Sequence, residues 1–278
     1  MADYDEFDAV RHDPDPVRRG RRAGELMTVY QQRATELARV RRAAIDEAYR
    51  ERGLSYTEIA AQLGLTKGRI TQIRSTAPPA ERAFFGVGPV VVGIPRRYGV
   101  EEGRERPFFD AVDMTTQAAV EASLARLSLL STAFAIEPDQ AEIPLSDAVI
   151  VCGPKSAPIA RELLKSDPYL DFIRTDEGWW IAEKGSGRPR FDSPFRRANP
   201  SRIDIGYFGR HLHDGRVIVH IAGITSVGSL GVARWLDTNL SDLFSSREDL
   251  SISGVVECSF DENFEITDTR LIAGPYTW

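Results

Sequence analysis

Hydrophobic residues recur at helical spacing over the first quarter of the chain. Leu26, Tyr30, Leu37 and Val40 fall near a 3.6-residue repeat, and no proline interrupts residues 23–52. This pattern predicts one long amphipathic helix or two abutting helices. Its apolar face would either support the helices that follow or pair with a second copy of the chain.

The residues after this helix carry the signals of two short helices joined by a turn. Gly53 is placed to end the long helix, and Ser55 with Glu58 three residues later forms a capping box. Gly64 would turn the chain, and Thr66 would cap the second helix. The apolar positions have the spacing of a helix-turn-helix: Ile59, Ala60, Leu63, Leu65, Ile70 and Ile73. An ordinary helical hairpin is the alternative interpretation.

The other positions of the second helix suit contacts with base edges and phosphates. They are Thr66, Lys67, Gly68, Arg69, Thr71, Gln72 and Arg74. Residues 55–74 resemble the helix-turn-helix of sigma-factor region four and of related bacterial regulators. The resemblance implies that the second helix reads double-stranded DNA. Because nothing upstream looks like the other parts of a sigma factor, a transcription regulator is favoured.

From residue 84 onward, short apolar runs alternate with helical patterns. Strands are predicted at 89–94, 147–152, 216–222, 253–260 and 269–273, and helices at 114–133, 158–165 and 228–240. Residues 96–107 are expected to form a loop, and 178–183 and 205–210 to be strands of an antiparallel insertion. The alternation predicts a three-layer α/β domain with a mostly parallel sheet.

Two strand-to-helix turns combine glycines, hydroxyls and basic residues. Open α/β sheets bind ligands at such strand ends, and a helix amino terminus favours an anion. The candidate ligand-binding residues are Gly153, Lys155, Ser156, Arg161, Gly223, Thr225, Ser226, Gly228 and Ser229. Backbone requirements alone would also explain these glycines and serines. Neither turn matches the Walker or dinucleotide fingerprint. The layout resembles the Rossmann-like nucleotide-sensing domains of bacterial regulators, which implies a small anionic or nucleotide-like effector.

Other candidate chemistry is weaker. His211 and His213 lie two residues apart, but no further ligands at metal spacing are near, so no metal is predicted. Trp179 and Trp180 are interpreted as packing residues or pocket walls. Four polar residues are interpreted as a solvated loop, with a pocket lining as the alternative: Arg196, Arg197, Asn199 and Arg202. No catalytic residue and no cofactor is predicted, and Cys152 is expected to be buried and inert.

Composition and charge divide the chain of 278 residues, whose net charge is −6. Residues 17–76 hold 13 basic and 6 acidic residues, a net charge of +7, whereas residues 86–278 hold 20 basic and 28 acidic residues, a net charge of −8. A basic segment joined to an acidic domain indicates a module for an anionic partner. Two cysteines, no signal-peptide pattern and no transmembrane run predict a cytoplasmic protein without a membrane partner.

The predicted organisation is a disordered acidic tail (1–16), a helical helix-turn-helix domain (17–76), a linker (77–83) and an α/β effector-binding and oligomerisation domain (84–278). The leading hypothesis is a DNA-binding transcriptional regulator that acts as a homodimer on two half-sites. A nucleotide-processing enzyme localised by a DNA-binding module is the alternative. A protein-interaction domain whose glycine turns bind nothing is a third possibility.

Overall fold

The chain forms two compact units. The structure, a computed structural model, describes residues 2–185, 187–244 and 248–278. The first unit runs to Ala80 and includes Val87–Pro89, and the second contains Glu81–Gly86 and the chain from Val90 onward. Among the helices described, none combines the length and apolarity needed to cross a membrane.

One long helix dominates the first unit. Helix α2 (Pro16–Glu51) begins after Asp15, whose carboxylate accepts hydrogen bonds from the backbone N–H groups of Val17 and Arg18. Gly53 follows its last turn at a φ of +64°, a conformation that glycine adopts without strain. Of the two predicted alternatives, the structure has the single long helix, and this helix begins earlier than its apolar pattern indicates.

The amino-terminal residues differ from the expected disordered tail. They form helix α1 (Ala2–Arg11), and Val10 is buried. The buried carboxylate of Asp13 accepts hydrogen bonds from Arg18, at 2.7 and 2.8 Å, and from Arg22, at 3.1 Å. An acidic residue of this segment is therefore paired with arginines at the start of α2. Composition alone does not predict such pairs, because it does not show which residues contact one another.

Two short helices complete the first unit: α3 (Tyr56–Gln62) and α4 (Lys67–Thr76). The buried side chains of Ile59 and Ala60 in α3 and of Ile70 and Ile73 in α4 form one apolar cluster with Ile45 of α2. These are the positions that the apolar spacing predicts, because residues three and four apart share a helix face.

The predicted linker ends earlier than residue 83. Residues Ala80–Phe85 form a 3₁₀ turn, and Phe84 and Phe85 belong to the main core of the second unit. Arg82 is fully buried and donates hydrogen bonds to the carbonyl oxygens of Leu127 and Ser128. A buried arginine therefore lies near the start of the second unit, within the segment that the sequence predicts to be a linker.

The second unit alternates strands and helices. In chain order its elements are β1 (Val90–Pro95), β2 (Arg97–Glu101), β3 (Arg104–Phe108), α5 (Ala111–Arg126), β4 (Ser131–Ile136), β5 (Ala148–Val151), α6 (Pro158–Lys165), β6 (Leu170–Thr175), β7 (Gly178–Glu183), β8 (Arg190–Phe191), β9 (Ile203–His213), β10 (Arg216–Gly223), α7 (Ser226–Leu243), β11 (Ile252–Phe260) and β12 (Ile266–Thr277). A short 3₁₀ turn, Pro194–Arg196, precedes β9.

Seven strands form the central sheet, in the order β12-β11-β9-β10-β5-β1-β4. The pairings β4-β1-β5-β10 are parallel and those of β9 with β10 and β11, and of β11 with β12, are antiparallel. Only β9 and β12 therefore run against the other strands of this described sheet. The predicted α/β class with a mostly parallel sheet is confirmed.

Layers cover both faces of the sheet. Along β10, Val217, Val219 and Ile221 pack with α5 and α7, whereas Ile218 on the opposite face packs with α6. Alternate residues of a strand point to opposite faces, so β10 is apolar on both sides. The small antiparallel sheet β6-β7-β8 lies on the same face as α6, where Leu170 and Ile181 join the core.

Three predicted elements are wrong. The expected loop at 96–107 is largely the hairpin β2-β3, whose second strand is exposed throughout and so has no apolar alternation to reveal it. The helix expected to reach residue 133 ends at Arg126, because β4 pairs with β1. Strand β9 belongs to the central sheet and not to an antiparallel insertion.

Two buried histidines lie on the α6 face of the sheet. The Nε2–H of His220 donates to the carbonyl oxygen of Cys152 at 2.8 Å, while Nδ1 of His211 lies 3.0 Å from the Ser166 hydroxyl. Burial lowers the pKa of His211 to about 3 and that of His220 to about 4. Tyr207 lies between them and donates to the buried carboxylate of Asp167. Both imidazoles are therefore neutral in the folded protein.

This pair predicts a loss of stability in mild acid. Between pH 6.5, the ordinary histidine pKa, and about 4, the unfolded chain binds protons that the folded chain does not, so the free energy of unfolding falls as the pH falls. In urea denaturation across this range, H220L should show a shallower dependence on pH than the unmodified protein. H12N, at an exposed site of the first unit, should keep the original slope; equal slopes for all three would contradict the prediction.

Candidate functional site

The turn between α3 and α4 is fixed by local capping. The Ser55 hydroxyl accepts from the backbone N–H of Glu58 at 3.3 Å, and the Glu58 carboxylate accepts from the backbone N–H of Ser55 at 2.8 Å. The Thr66 hydroxyl accepts from the backbone N–H of Arg69 at 3.2 Å, and Gly64 turns the chain at a φ of +65°. The predicted capping box, cap and turn glycine are confirmed.

The outer face of α4 is open and polar. Thr66, Lys67, Gly68, Arg69, Thr71 and Gln72 are all exposed. Arg69 donates to the side-chain oxygen of Gln72 at 2.6 Å, which pre-orders two neighbouring polar side chains on the surface. A Cβ on Gly68 would meet no atom closer than 4.0 Å, so the backbone there is accessible from outside. These six residues, which we call the α4 face, are six of the seven that the sequence groups together.

Arg74 differs from the other predicted contact residues. Its Nε donates to the carboxylate of Asp46 in α2 at 2.7 Å, and its guanidinium lies 4.5 Å from the centre of the Tyr56 ring. The hydrogen bond to Asp46 raises the pKa of Arg74. Arg74 therefore joins α4 to α2 and α3, and its charge is already paired within the first unit.

In the second unit, the two predicted turns meet at the carboxyl ends of β5 and β10. Seven of the nine predicted ligand residues line one small gap: Gly153, Lys155, Ser156, Gly223, Thr225, Ser226 and Ser229. The gap has a volume of about 10 Å³, room for a single water molecule. Two of the predicted residues lie outside it, because Arg161 donates to the carbonyl oxygen of Pro154 and Gly228 is buried against β9.

The amino end of α7 already holds an anion. The carboxylate of Asp204, fully buried in β9, accepts from the backbone N–H groups of Thr225 at 3.2 Å and Gly228 at 2.8 Å. The Thr225 hydroxyl donates to the same oxygen at 2.6 Å. A helix amino terminus attracts negative charge, and here the chain supplies its own. In this structure these donors of the turn are therefore engaged within the chain, and a phosphate bound by Thr225 and Gly228 stays a prediction.

Lys155 closes the other side of the gap. Its ammonium group donates to the carbonyl oxygen of Ile224 at 2.8 Å and so joins the two turns. Burial lowers the pKa of Lys155, and the neighbouring charges of Arg196 and Arg97 add to the effect. The sequence missed Arg97 and Asp113, which form an ion pair of 2.7 Å on the wall of the gap. No local pattern marks them, because their partners come from distant elements.

A larger cleft lies beside this gap. It has a volume of about 380 Å³ and contacts the turn after β10 through Ile224. Its other lining residues come from β7 and from the turn before β9: Glu177, Gly178, Trp179, Trp180, Asp192, Ser193, Arg196, Arg197 and Ala198. Two of the arginines assigned to a solvated loop thus line a cleft, as the alternative interpretation has it, whereas Asn199 and Arg202 do not. We call this the Trp cleft.

Neither cysteine offers a reactive thiolate. Cys152 and Cys258 are both buried, and burial raises the pKa of each thiol to about 12. A thiol is a nucleophile only when it is deprotonated. Among the described residues, no group of three or more His, Cys, Asp and Glu side chains is placed to hold a metal ion.

No family model matches the chain, and neither the curated proteins nor the solved structures contain a match to it.

The Arg74 contacts predict a local structural role. R74A removes the ion pair with Asp46 and the contact with the Tyr56 ring, together worth about 1 kcal/mol at a partly exposed site. In the full chain, backbone amides of α4 should then exchange with deuterated water roughly fivefold faster. R69A is the matched control and should leave that exchange unchanged, whereas equal exchange in R74A and the unmodified chain would contradict the prediction.

Proposed function

We propose that this chain is a DNA-binding transcriptional regulator in which α3 and α4 act as a helix-turn-helix. The observation that carries the proposal is the α4 face, a row of exposed polar and basic side chains on a helix whose opposite side is anchored by Ile70 and Ile73. A recognition helix needs this combination, because the side chains that reach base edges must project from a fixed backbone.

Charge supports the same assignment. Residues 17–76 hold 13 basic and 6 acidic residues. Lys67 and Arg69 on α4 and Arg50 and Arg52 at the end of α2 are exposed. Basic side chains close to a candidate recognition helix supply the sequence-independent part of DNA affinity through phosphate contacts. Arg74 is left out of the proposed DNA contacts because Asp46 pairs with it.

We further propose that the chain works as a homodimer that pairs through α2. Met27, Tyr30, Leu37 and Val40 are all exposed, and Leu37 leaves 67% of its surface open to solvent. Met27, Tyr30 and Leu37 are separated by three and seven residues, which is the heptad spacing of a helix that packs along a second helix. A dimer would present two α4 faces to the two half-sites of an operator.

The proposed role of the second unit is to sense a small anionic or nucleotide-like effector. Support comes from the Trp cleft, which opens at the carboxyl edge of the sheet next to the turn after β10. Open α/β sheets bind ligands at this edge. The protein would then be cytoplasmic, with double-stranded DNA and the effector as its partners.

Recognition of DNA is tested on a sequence selected by the full chain from a pool of random duplexes. Against that duplex, K67A and Q72A should each weaken binding by roughly 1–3 kcal/mol if their side chains contact bases. R69A should weaken binding to every duplex and lower the salt dependence by about one ion. K165A removes a lysine from α6, paired there with Glu162, and should leave the affinity unchanged. Failure of the full chain to enrich any sequence would refute the proposal.

Dimerisation is tested by placing a charge on the exposed apolar face of α2. L37E should convert the dimer to a monomer in analytical ultracentrifugation at micromolar concentration and should weaken DNA binding at least tenfold. A43E introduces the same charge at another exposed position of α2 and should remain dimeric. An unmodified chain that sediments as a monomer would show that α2 does not form the proposed interface.

A further inference from the structure

The Trp cleft has the size of a small-molecule site. Its volume of about 380 Å³ falls within the usual range for ligand pockets, roughly 300–1,000 Å³. The neighbouring gap between the two glycine turns has only about 10 Å³, and its donors are engaged by Asp204 and Ile224. A ligand that approaches this edge of the sheet therefore finds more space in the cleft than in the gap.

One wall of the cleft is aromatic. Trp179 and Trp180 both line the cleft, but as neighbours in β7 their side chains point to opposite faces of that strand. Trp179 packs against the core cluster that contains Ile224, whereas the indole N–H of Trp180 donates to the Thr175 hydroxyl at 3.1 Å. The Trp179 ring beside the aliphatic Ile224 forms a surface suited to a flat ring.

A buried hydroxyl lines the cleft without a partner. Ser193 is 3% exposed, and its Oγ has no hydrogen-bond partner among the described residues. A buried hydroxyl that makes no hydrogen bond costs free energy, so its presence on the wall of a cleft points to a partner that enters from outside.

The charges of the cleft favour an anion. Arg197 is paired with Asp192 by hydrogen bonds of 2.8 and 2.7 Å, whereas the structure gives the Arg196 guanidinium no ion pair or hydrogen bond among the described residues. Lys155 lies close enough to Arg196 for the two charges to interact, and it adds to the positive potential around Arg196. The remaining carboxylate, Glu177, is exposed at the turn between β6 and β7, as Arg196 is in the turn before β9, and no ion pair joins the two among the described residues.

We propose that the Trp cleft binds a small molecule that combines a flat aromatic ring with an anionic group. The ring packs on the wall formed by Trp179 and Ile224, the anion pairs with Arg196, and the Ser193 hydroxyl hydrogen-bonds to the ligand. That this ligand is the effector rests on the proposed regulatory function, whereas the binding site itself does not.

The test uses matched sets of probes with the full chain. Each set contains a ring with an anion and the same ring without it: AMP and adenosine, phenyl phosphate and phenol, indole-3-acetate and indole, with inorganic phosphate as the anion alone. Binding is measured by calorimetry and by quenching of tryptophan fluorescence. At least one ring-anion probe should bind with a Kd below 1 mM and at least fivefold more tightly than its uncharged partner and than phosphate. If no ring-anion probe does so, the proposal is overturned.

Four variants locate the bound probe. R196A should raise its Kd at least tenfold and S193A at least threefold, while R234A, at an exposed position of α7 outside the cleft, should leave it unchanged. E177Q should leave the Kd unchanged or lower it. An increased Kd for E177Q, or an unchanged Kd for R196A, would overturn the assignment of an anion to the cleft. S193A should also raise the melting temperature of the free protein, since it removes an unpaired hydroxyl, so weaker binding cannot be attributed to unfolding.

The two proposals fail separately. A probe that binds in a manner dependent on Arg196, but to a chain that selects no DNA sequence, would leave the cleft assignment standing and remove the regulator. A chain that selects a DNA sequence but binds no ring-anion probe would keep the regulator and overturn the cleft assignment. If both hold, the probe should change the affinity for the selected duplex in the unmodified chain and not in R196A.

Discussion

The carboxylate of Asp204 sets the arrangement of the second unit at the edge of its sheet. A fully buried charge is tolerated only when strong hydrogen bonds replace those to water. Asp204 accepts three, from the backbone N–H groups of Thr225 and Gly228 and from the Thr225 hydroxyl. These bonds hold the first turn of α7 against β9. Gly206 and Gly228 allow that approach, because a Cβ on either would collide with the backbone of the other element.

This constraint also decides where chemistry can take place. The helix terminus that would attract a phosphate is neutralised internally by Asp204, and Lys155 spans the remaining space to the carbonyl of Ile224. In this structure the turns between β5 and α6 and between β10 and α7 hold each other in place. The Trp cleft lies next to them, and among the described residues its Arg196 guanidinium has no ion pair or hydrogen bond.

The first unit follows a different principle, since a few short-range contacts define it. The capping box at Ser55, the cap at Thr66 and the turn at Gly64 place α4 on α3, and Ile45 joins both to α2. Arg74 adds a contact between α4 and α2 through Asp46, which lies 28 residues away in the chain, whereas a helix cap joins residues only a few positions apart. The result is a helix with its polar face free and its apolar face fixed, which is why this unit carries the functional proposal.

Features whose partners lie within a few residues could be predicted from the sequence. These are the long α2, both caps, the glycine turn, the α4 face and five strands of the central sheet, since helix capping and side-chain periodicity act locally. The sequence did not predict the pairing of β4 with β1, the place of β9 in the sheet, the engagement of Arg74 by Asp46, or the capping of α7 by Asp204. Asp46 and Arg74 are 28 residues apart in the chain, and Asp204 is 21 residues from Thr225 and 24 from Gly228, so these contacts depend on how the elements pack.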